Sequence, residues 1–218
     1  MDSSTSDVLC IGVPSGLLNG LLTHPLLSVS LRHPLLTIDI RQLEPTIQLR
    51  EITGGNLDIG IVWEFPEFPL ECTFNGTKLL TEKLGVLTSN EVAATAGPSG
   101  IGLGALSGIK WIGPQREESP AWYDAIITVL RRYGLDAAAS SSEASKLGDD
   151  EVHEMIRAGK AFSLVPRHAS RNFTPGVAWV PLQGEKLVRH TWAVWLANAG
   201  RPAIQDLIVA FGGPITVI

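Results

Sequence analysis

The chain has 218 residues, 44% of them apolar and 18% charged, with a formal net charge of −5. This is an ordinary globular composition, long enough to bury a core without disulfide or metal staples, and it excludes intrinsic disorder. The acidity, with no basic cluster denser than Arg131-Arg132, argues against direct contact with nucleic acid, which requires clustered Lys and Arg on phosphates.

Residues 1–7 are polar and carry Asp2 and Asp7, unlike the basic and then apolar start of an export signal. No apolar run is long enough to span a bilayer. A cytoplasmic location and no membrane partner are expected. Val8–Val13 (VLCIGV) reads as a buried parallel strand, followed by a Pro14-Ser15-Gly16 turn. Residues 17–31 place Leu17, Leu18, Leu21, Leu22, Leu26 and Leu27 at helical spacing, with Pro25 as an irregularity. Arg32-His33-Pro34 ends that helix, and the alternation in 36–43 (LTIDIRQL) predicts a second strand. Glu44-Pro45-Thr46 opens a helix to about Ile52, since Pro costs no hydrogen bond in a first turn. Gly54-Gly55 closes it, and 57–62 (LDIGIV) is a third buried strand. The β-α-β-α-β order predicts a parallel sheet with crossover helices.

Residues 63–76 read as a loop containing Pro66 and Pro69. Residues 78–88 are an extended run long enough to leave one lobe and enter another. A Gly- and Ala-rich stretch, 90–108, precedes a strand at 109–112. Ile126, Ile127, Val129 and Leu130 mark a helix over 122–133 that stops at Gly134, and 137–144 reads as extended. A helix over 149–158 takes Asp149 as N-cap, Asp150 and Glu151 in its first turn, and Gly159 just past its end. Strands follow at 161–165, ended by Pro166, at 177–181 and at 190–197, and an amphipathic helix closes the chain at 202–211.

Chemistry-bearing patterns are sparse. Cys10 lies in an apolar run and reads as buried, and Cys72 lies in the Pro-rich loop; no CxxC motif is present. His24, His33, His153, His168 and His190 are scattered without metal-ligand spacing. Residues 97–104 are Gly-rich but lack the Lys of a phosphate loop, and the serine of GVPSG falls one place late for a nucleophile elbow. No cofactor, no metal and no catalytic activity are expected.

Several segments together resemble the effector-binding (substrate-binding) domain of LysR-type transcriptional regulators. They are the IGVP turn after the first strand, Arg32-His33-Pro34, the run from Gly55 through Leu57-Asp58 to Val62, MIRAGKAFSLVP at 155–166, and the closing helix at 202–211. Lys160-Ala161 departs from the family's usual residue-Gly pair there, and the Ser-rich stretch at 140–145 is longer than typical. The resemblance implies an α/β, type 2 periplasmic-binding-protein-like fold, with two Rossmann-like lobes joined by two hinge crossings. Lobe I would comprise 8–81 plus 187–218, and lobe II 82–186. It implies a small-molecule inducer or co-inducer, plausibly an organic acid or aromatic metabolite, held between the lobes. It also implies a homo-oligomer, dimer or tetramer, through contacts between lobe I and lobe II of different copies. Contact with DNA would come only through a winged helix-turn-helix, which this reading expects to be absent from the chain. The competing reading is a type 2 solute-binding protein that delivers a small organic ligand.

In open parallel sheets ligands bind beyond the carboxyl ends of strands, where helix N-termini offer N–H groups and positive partial charge. That rule selects Ser15 and Gly16 after the first strand, Glu44 and Thr46 after the second, and Trp63 after the third. In the second lobe it selects Gln115 and Arg116, and Leu147 and Gly148 before the next helix. Ser15 suits either a ligand contact or a helix cap, and Glu44 either a ligand contact or a solvated cap. Arg116 suits a carboxylate or an exposed loop, and Trp63 either an aromatic ligand or the Pro66/Pro69 loop.

Overall fold

The computed structural model describes residues 7–14, 17, 21–63, 73–113, 115–117, 120–135, 149–167, 175–184 and 187–212, with Ala121 and Asp149 described through their backbone alone. In chain order the elements are β1 Val8–Val13, α1 Thr23–Arg32, β2 Thr37–Gln42, α2 Pro45–Thr53, β3 Ile59–Trp63, β4 Phe74–Ser89, α3 Asn90–Ala93, β5 Ile101–Gly102, a 3-10 turn Leu103–Leu106, β6 Lys110–Trp111, α4 Pro120–Arg132, α5 Asp149–Arg157, β7 Ala161–Pro166, β8 Val177–Gln183, β9 Val188–Leu196 and α6 Pro202–Ala210. The chain divides into two compact units, 1–81 with 190–218, and 82–189. It passes from one to the other inside β4 and returns inside β9.

In the first unit β1 pairs in parallel with β2 (Val8↔Thr37 through Val13↔Gln42) and with β3 (Gly12↔Gly60). β9 joins antiparallel to β3, with Trp63 opposite Thr191. Alternation along these strands feeds two layers of core. On one face Leu9, Ile11, Ile59, Ile61 and Trp195 pack with Val29 of α1 and Ile204, Leu207 and Ile208 of α6. On the other, Val62, Phe74 and Val194 pack with Ile52 of α2 and Leu57. Helices thus cover both faces, as a parallel sheet requires.

Asp58, immediately before β3, ties this unit together. Its Oδ2 accepts the Cys10 N–H at 2.8 Å and its Oδ1 accepts from Arg201 Nη1 at 2.6 Å. Arg201 is the N-cap residue of α6. Gln48, fully buried on α2, donates from Nε2 to the Leu43 carbonyl at 2.7 Å, and its Oε1 rests against Gly12 and Gly60.

In the second unit β4 pairs antiparallel with β7 (Leu84↔Pro166) and with β8 (Gly85↔Pro181). β6 is parallel to β7, and β5 is parallel to β8. Leu84, Val86, Trp111 and Phe162 pack beneath Ile126 and Leu130 of α4. Leu87, Ile112 and Ala161 pack beneath Ile156 of α5 on the other face. Past the end of α5, Gly159 takes φ +69°, and the N–H groups of Gly159 and Lys160 donate to the Ile156 and Met155 carbonyls at 3.0 Å each. This reversal demands glycine and satisfies the last-turn carbonyls.

Some elements differ from the sequence reading. α1 begins at Thr23 rather than at residue 17, which makes Pro25 a first-turn residue. Its missing N–H therefore costs no intrahelical bond. Asp149 is the first helical residue of α5 rather than its cap. β4 is longer than expected, running back to Phe74. Cys10 is half-buried. The expected extended stretch at 137–144 lies outside the described residues. Among the described residues, no helix is long and apolar enough to cross a membrane.

Candidate functional site

The parallel β1, β2 and β3 all end at one edge of the first unit's sheet. The Leu43 N–H donates to the Val13 carbonyl at 2.9 Å, which brings the start of α2 beside the end of β1. Glu44 caps α2 through its backbone: its carbonyl accepts the Gln48 N–H at 2.9 Å, and its side chain makes no cap hydrogen bond. Pro45 then removes one N–H, so Thr46 and Ile47 supply the first-turn amides of this helix. Trp63, half-buried, is the last residue of β3. The structure thus places Glu44, Thr46 and Trp63 at the carboxyl edge of this sheet. Ser15 and Gly16 lie outside the described residues.

In the second unit Gln115 and Arg116 follow β6, and α4 begins at Pro120. Arg116 grips Asp124 of α4 with both arms of its guanidinium, Nε to Oδ1 at 2.9 Å and Nη2 to Oδ2 at 2.8 Å. Its hydrogen bond to Asp124 raises the guanidinium pKa, and the same bond lowers that of the carboxyl. A ligand carboxylate at Arg116 must therefore compete with Asp124 for the guanidinium. Leu147 and Gly148 lie outside the described residues.

Further polar groups were not singled out by sequence because their partners are distant in the chain. In the first unit, Lys78 Nζ of β4 lies 5.5 Å from the centroid of the Trp192 ring of β9. His190 Nδ1 is 2.9 Å from Thr81 Oγ1. Burial first, and the Lys78 charge second, hold the His190 imidazole below its ordinary pKa of 6.5. In the second unit, Arg189 Nη2 donates to Glu82 Oε2 at 3.0 Å. Burial lowers the Arg189 pKa, while the hydrogen bond and charge of Glu82 oppose that shift. The alternation in RHTWAVW could have shown His190, Trp192 and Val194 sharing a face, but nothing local announces Lys78 as their neighbour. Among the described residues, no group of three or more His, Cys, Asp or Glu is placed to hold a metal ion.

Solved structures with this architecture are numerous. The effector-binding domain of a BenM variant matches with a TM-score of 0.77 at 18% identity, over 94% of this chain and 93% of that one. The BenM effector-binding domain with its effector benzoate matches at 0.74 and 19% identity, over 96% and 92%. CbnR, a LysR family transcriptional regulator, matches at 0.70 and 15% identity, over 94% of this chain and 68% of CbnR. No curated protein sequence matches significantly. The fold is the type 2 periplasmic-binding-protein-like α/β fold expected from the resemblance. The family model for the LysR substrate binding domain matches residues 2–212. This match covers nearly the whole sequence, and the chain belongs to the LysR substrate-binding domain family.

Proposed function

We propose that this chain is the effector-sensing part of a LysR-type transcriptional regulator and is not an enzyme. A small organic acid or aromatic metabolite binds between its two units, which act as regulatory lobes. One observation carries the reading: within a LysR substrate-binding domain, Glu44, Thr46 and Trp63 stand at the carboxyl edge of a parallel sheet, where a helix start offers two backbone amides. Ser15 and Gly16, and in the second lobe Gln115, Arg116, Leu147 and Gly148, complete the proposed contacts. The ligand acts by binding one lobe arrangement more tightly than another, which is the whole energetic requirement for a switch. Copies of the chain associate through contacts of lobe I with lobe II, and DNA is reached only through a winged helix-turn-helix outside this sequence. The protein works in the cytoplasm.

Thermal-shift screening against a panel of carboxylic and aromatic metabolites tests the reading. At least one compound should raise the melting temperature in a concentration-dependent way. Ser15→Ala and Thr46→Val should each weaken its binding by about tenfold, the loss of one good hydrogen bond to a charged group. Flat curves across the panel, or unchanged affinity in both variants, would contradict it.

A further inference from the structure

A hollow of about 510 Å³ lies in the second unit beside the end of β8 and the start of β9. Its size is that of a small-molecule pocket. Leu84, Pro181, Leu182, Leu187 and Val188 give it aliphatic walls, and Trp179 adds an indole. Lys83 is the one ionisable side chain among the described lining residues. The accessible lining is mostly apolar.

These walls are held by backbone and ring contacts. The Leu84 N–H donates to the Leu187 carbonyl at 3.0 Å, which seats the start of β9 against β4. Pro181 pairs opposite Gly85 of β4, and a Cβ on Gly85 would fall 2.4 Å from the Trp179 ring carbons. Trp179 Nε1–H donates to the Val165 carbonyl at 2.9 Å, and the Arg167 guanidinium carbon stands 5.8 Å from the ring centroid. The charge at the rim is differently placed. Glu82, the acid next to Lys83 in the chain, is engaged by Arg189 at 3.0 Å. Among the described residues no carboxylate is paired with Lys83, which is exposed. Aliphatic walls reward any buried methylene in proportion to its area and impose no planar shape. An ammonium is a point charge with rotatable donors, which accepts an anionic head from many directions.

We propose that this hollow is a binding site for a medium-chain aliphatic monocarboxylate. The chain lies against Leu84, Leu182, Leu187 and Val188, and the carboxylate meets Lys83 at the rim. Every described lining residue belongs to the second unit, so the site is separate from the effector site proposed above and stands or falls on its own.

The test is a titration of the ¹⁵N-labelled whole chain with octanoate, following the Gly184 and Leu187 amides, with the Thr46 amide in the same spectra. Hexanoate and octanol serve as comparison ligands. Gly184 and Leu187 should shift together and saturably with octanoate. Octanoate should bind about tenfold more tightly than hexanoate, because each buried methylene contributes about threefold. Lys83→Gln should weaken octanoate by about three- to fivefold and Lys83→Glu by about tenfold or more, while octanol binding stays unchanged in both. Because Lys83 is exposed, both variants should keep the amide spectrum of the folded chain. Any response at Thr46 should be untouched by either variant. The proposal is overturned by no saturable shift at Gly184 and Leu187, by equal affinity for hexanoate and octanoate, or by parental octanoate affinity in Lys83→Glu. It is also overturned if octanol binding falls as far as octanoate binding in the variants, or if Thr46 responds at the same concentration and loses its response with Lys83→Glu.

Discussion

Glu82 and Arg189 form an ion pair of 3.0 Å with only 14% and 9% of their side chains exposed, each one residue from where the chain changes unit. Removing water from two charges is costly, and the cost is met only while both partners are present. Glu82→Gln removes the charged partner from this buried pair and should destabilise the second unit by about 3 kcal/mol. Replacing both residues, as Glu82→Leu with Arg189→Met, should cost less than the single change. Urea unfolding of the three variants measures this. A Glu82→Gln variant as stable as the parent would show that the pair is not buried in solution.

Gly60 tests how tightly α2 is seated. A Cβ at that position would stand 2.8 Å from Gln48 Oε1 and 3.0 Å from Ile52 Cδ1. Gln48 is fully buried and anchored to the Leu43 carbonyl, so it has little room to yield. Gly60→Ala should cost about 1–3 kcal/mol by overpacking. Combining it with Gln48→Ala should recover part of that loss, with a coupling of at least about 0.5 kcal/mol. Strictly additive losses in a double-mutant cycle would mean that the two residues do not press on each other.

The acid limb of stability depends on Asp206. Its hydrogen bonds to His33 and then to Arg32, each at 2.7 Å, hold its carboxyl below the ordinary 3.8. A carboxyl lowered in the folded state contributes stability that is present above its unfolded value and lost as pH falls through its folded value. Melting temperature should therefore fall as pH drops below about 4, and fall less steeply in Asp206→Asn. Parallel curves for parent and variant between pH 5 and about 2.5 would remove Asp206 from the account.

His190 titrates with the opposite charge logic. Its folded pKa lies below 6.5, so the folded chain binds fewer protons than the unfolded chain as pH falls through that value. Its contribution to stability shrinks below 6.5 and levels off once the folded imidazole is also protonated. An NMR titration should place the His190 midpoint below 6.5. Lys78→Gln should raise that midpoint without restoring it fully, because burial is the larger cause. A midpoint at or above 6.5 in the parent would contradict the part-burial of this imidazole.

Local signals carried the fold further than the site. Gly159, Pro45 and Pro202 stand where helix chemistry puts them, and the apolar strands at Val8–Val13 and Ile59–Trp63 announce a parallel sheet by their order. Leucine spacing sets the start of α1 too early because Leu17 and Leu22 are core residues that lie outside the helix. Periodicity records burial, and a turn can bury leucines as well as a helix can. The full length of β4 was hidden by Asn75 and Gly76, both poor strand formers, in a segment held by its neighbours. At the carboxyl edge, Glu44, Thr46 and Trp63 were legible because their positions follow from strand order alone. Arg116 was legible as a cation, but its bidentate grip on Asp124, eight residues on, was not. Lys78 with Trp192, and Arg167 with Trp179, depend on strand pairing that no local pattern encodes.

The most direct test of effector sensing is an amide titration of the ¹⁵N-labelled chain with whichever carboxylate of the metabolite panel raises its melting temperature most. If the ligand binds between the two units, the Thr46 and Ile47 amides at the start of α2 and the Gln115 amide after β6 should shift together and saturate at one concentration. Shifts confined to one unit, with the other silent at saturation, would contradict the account.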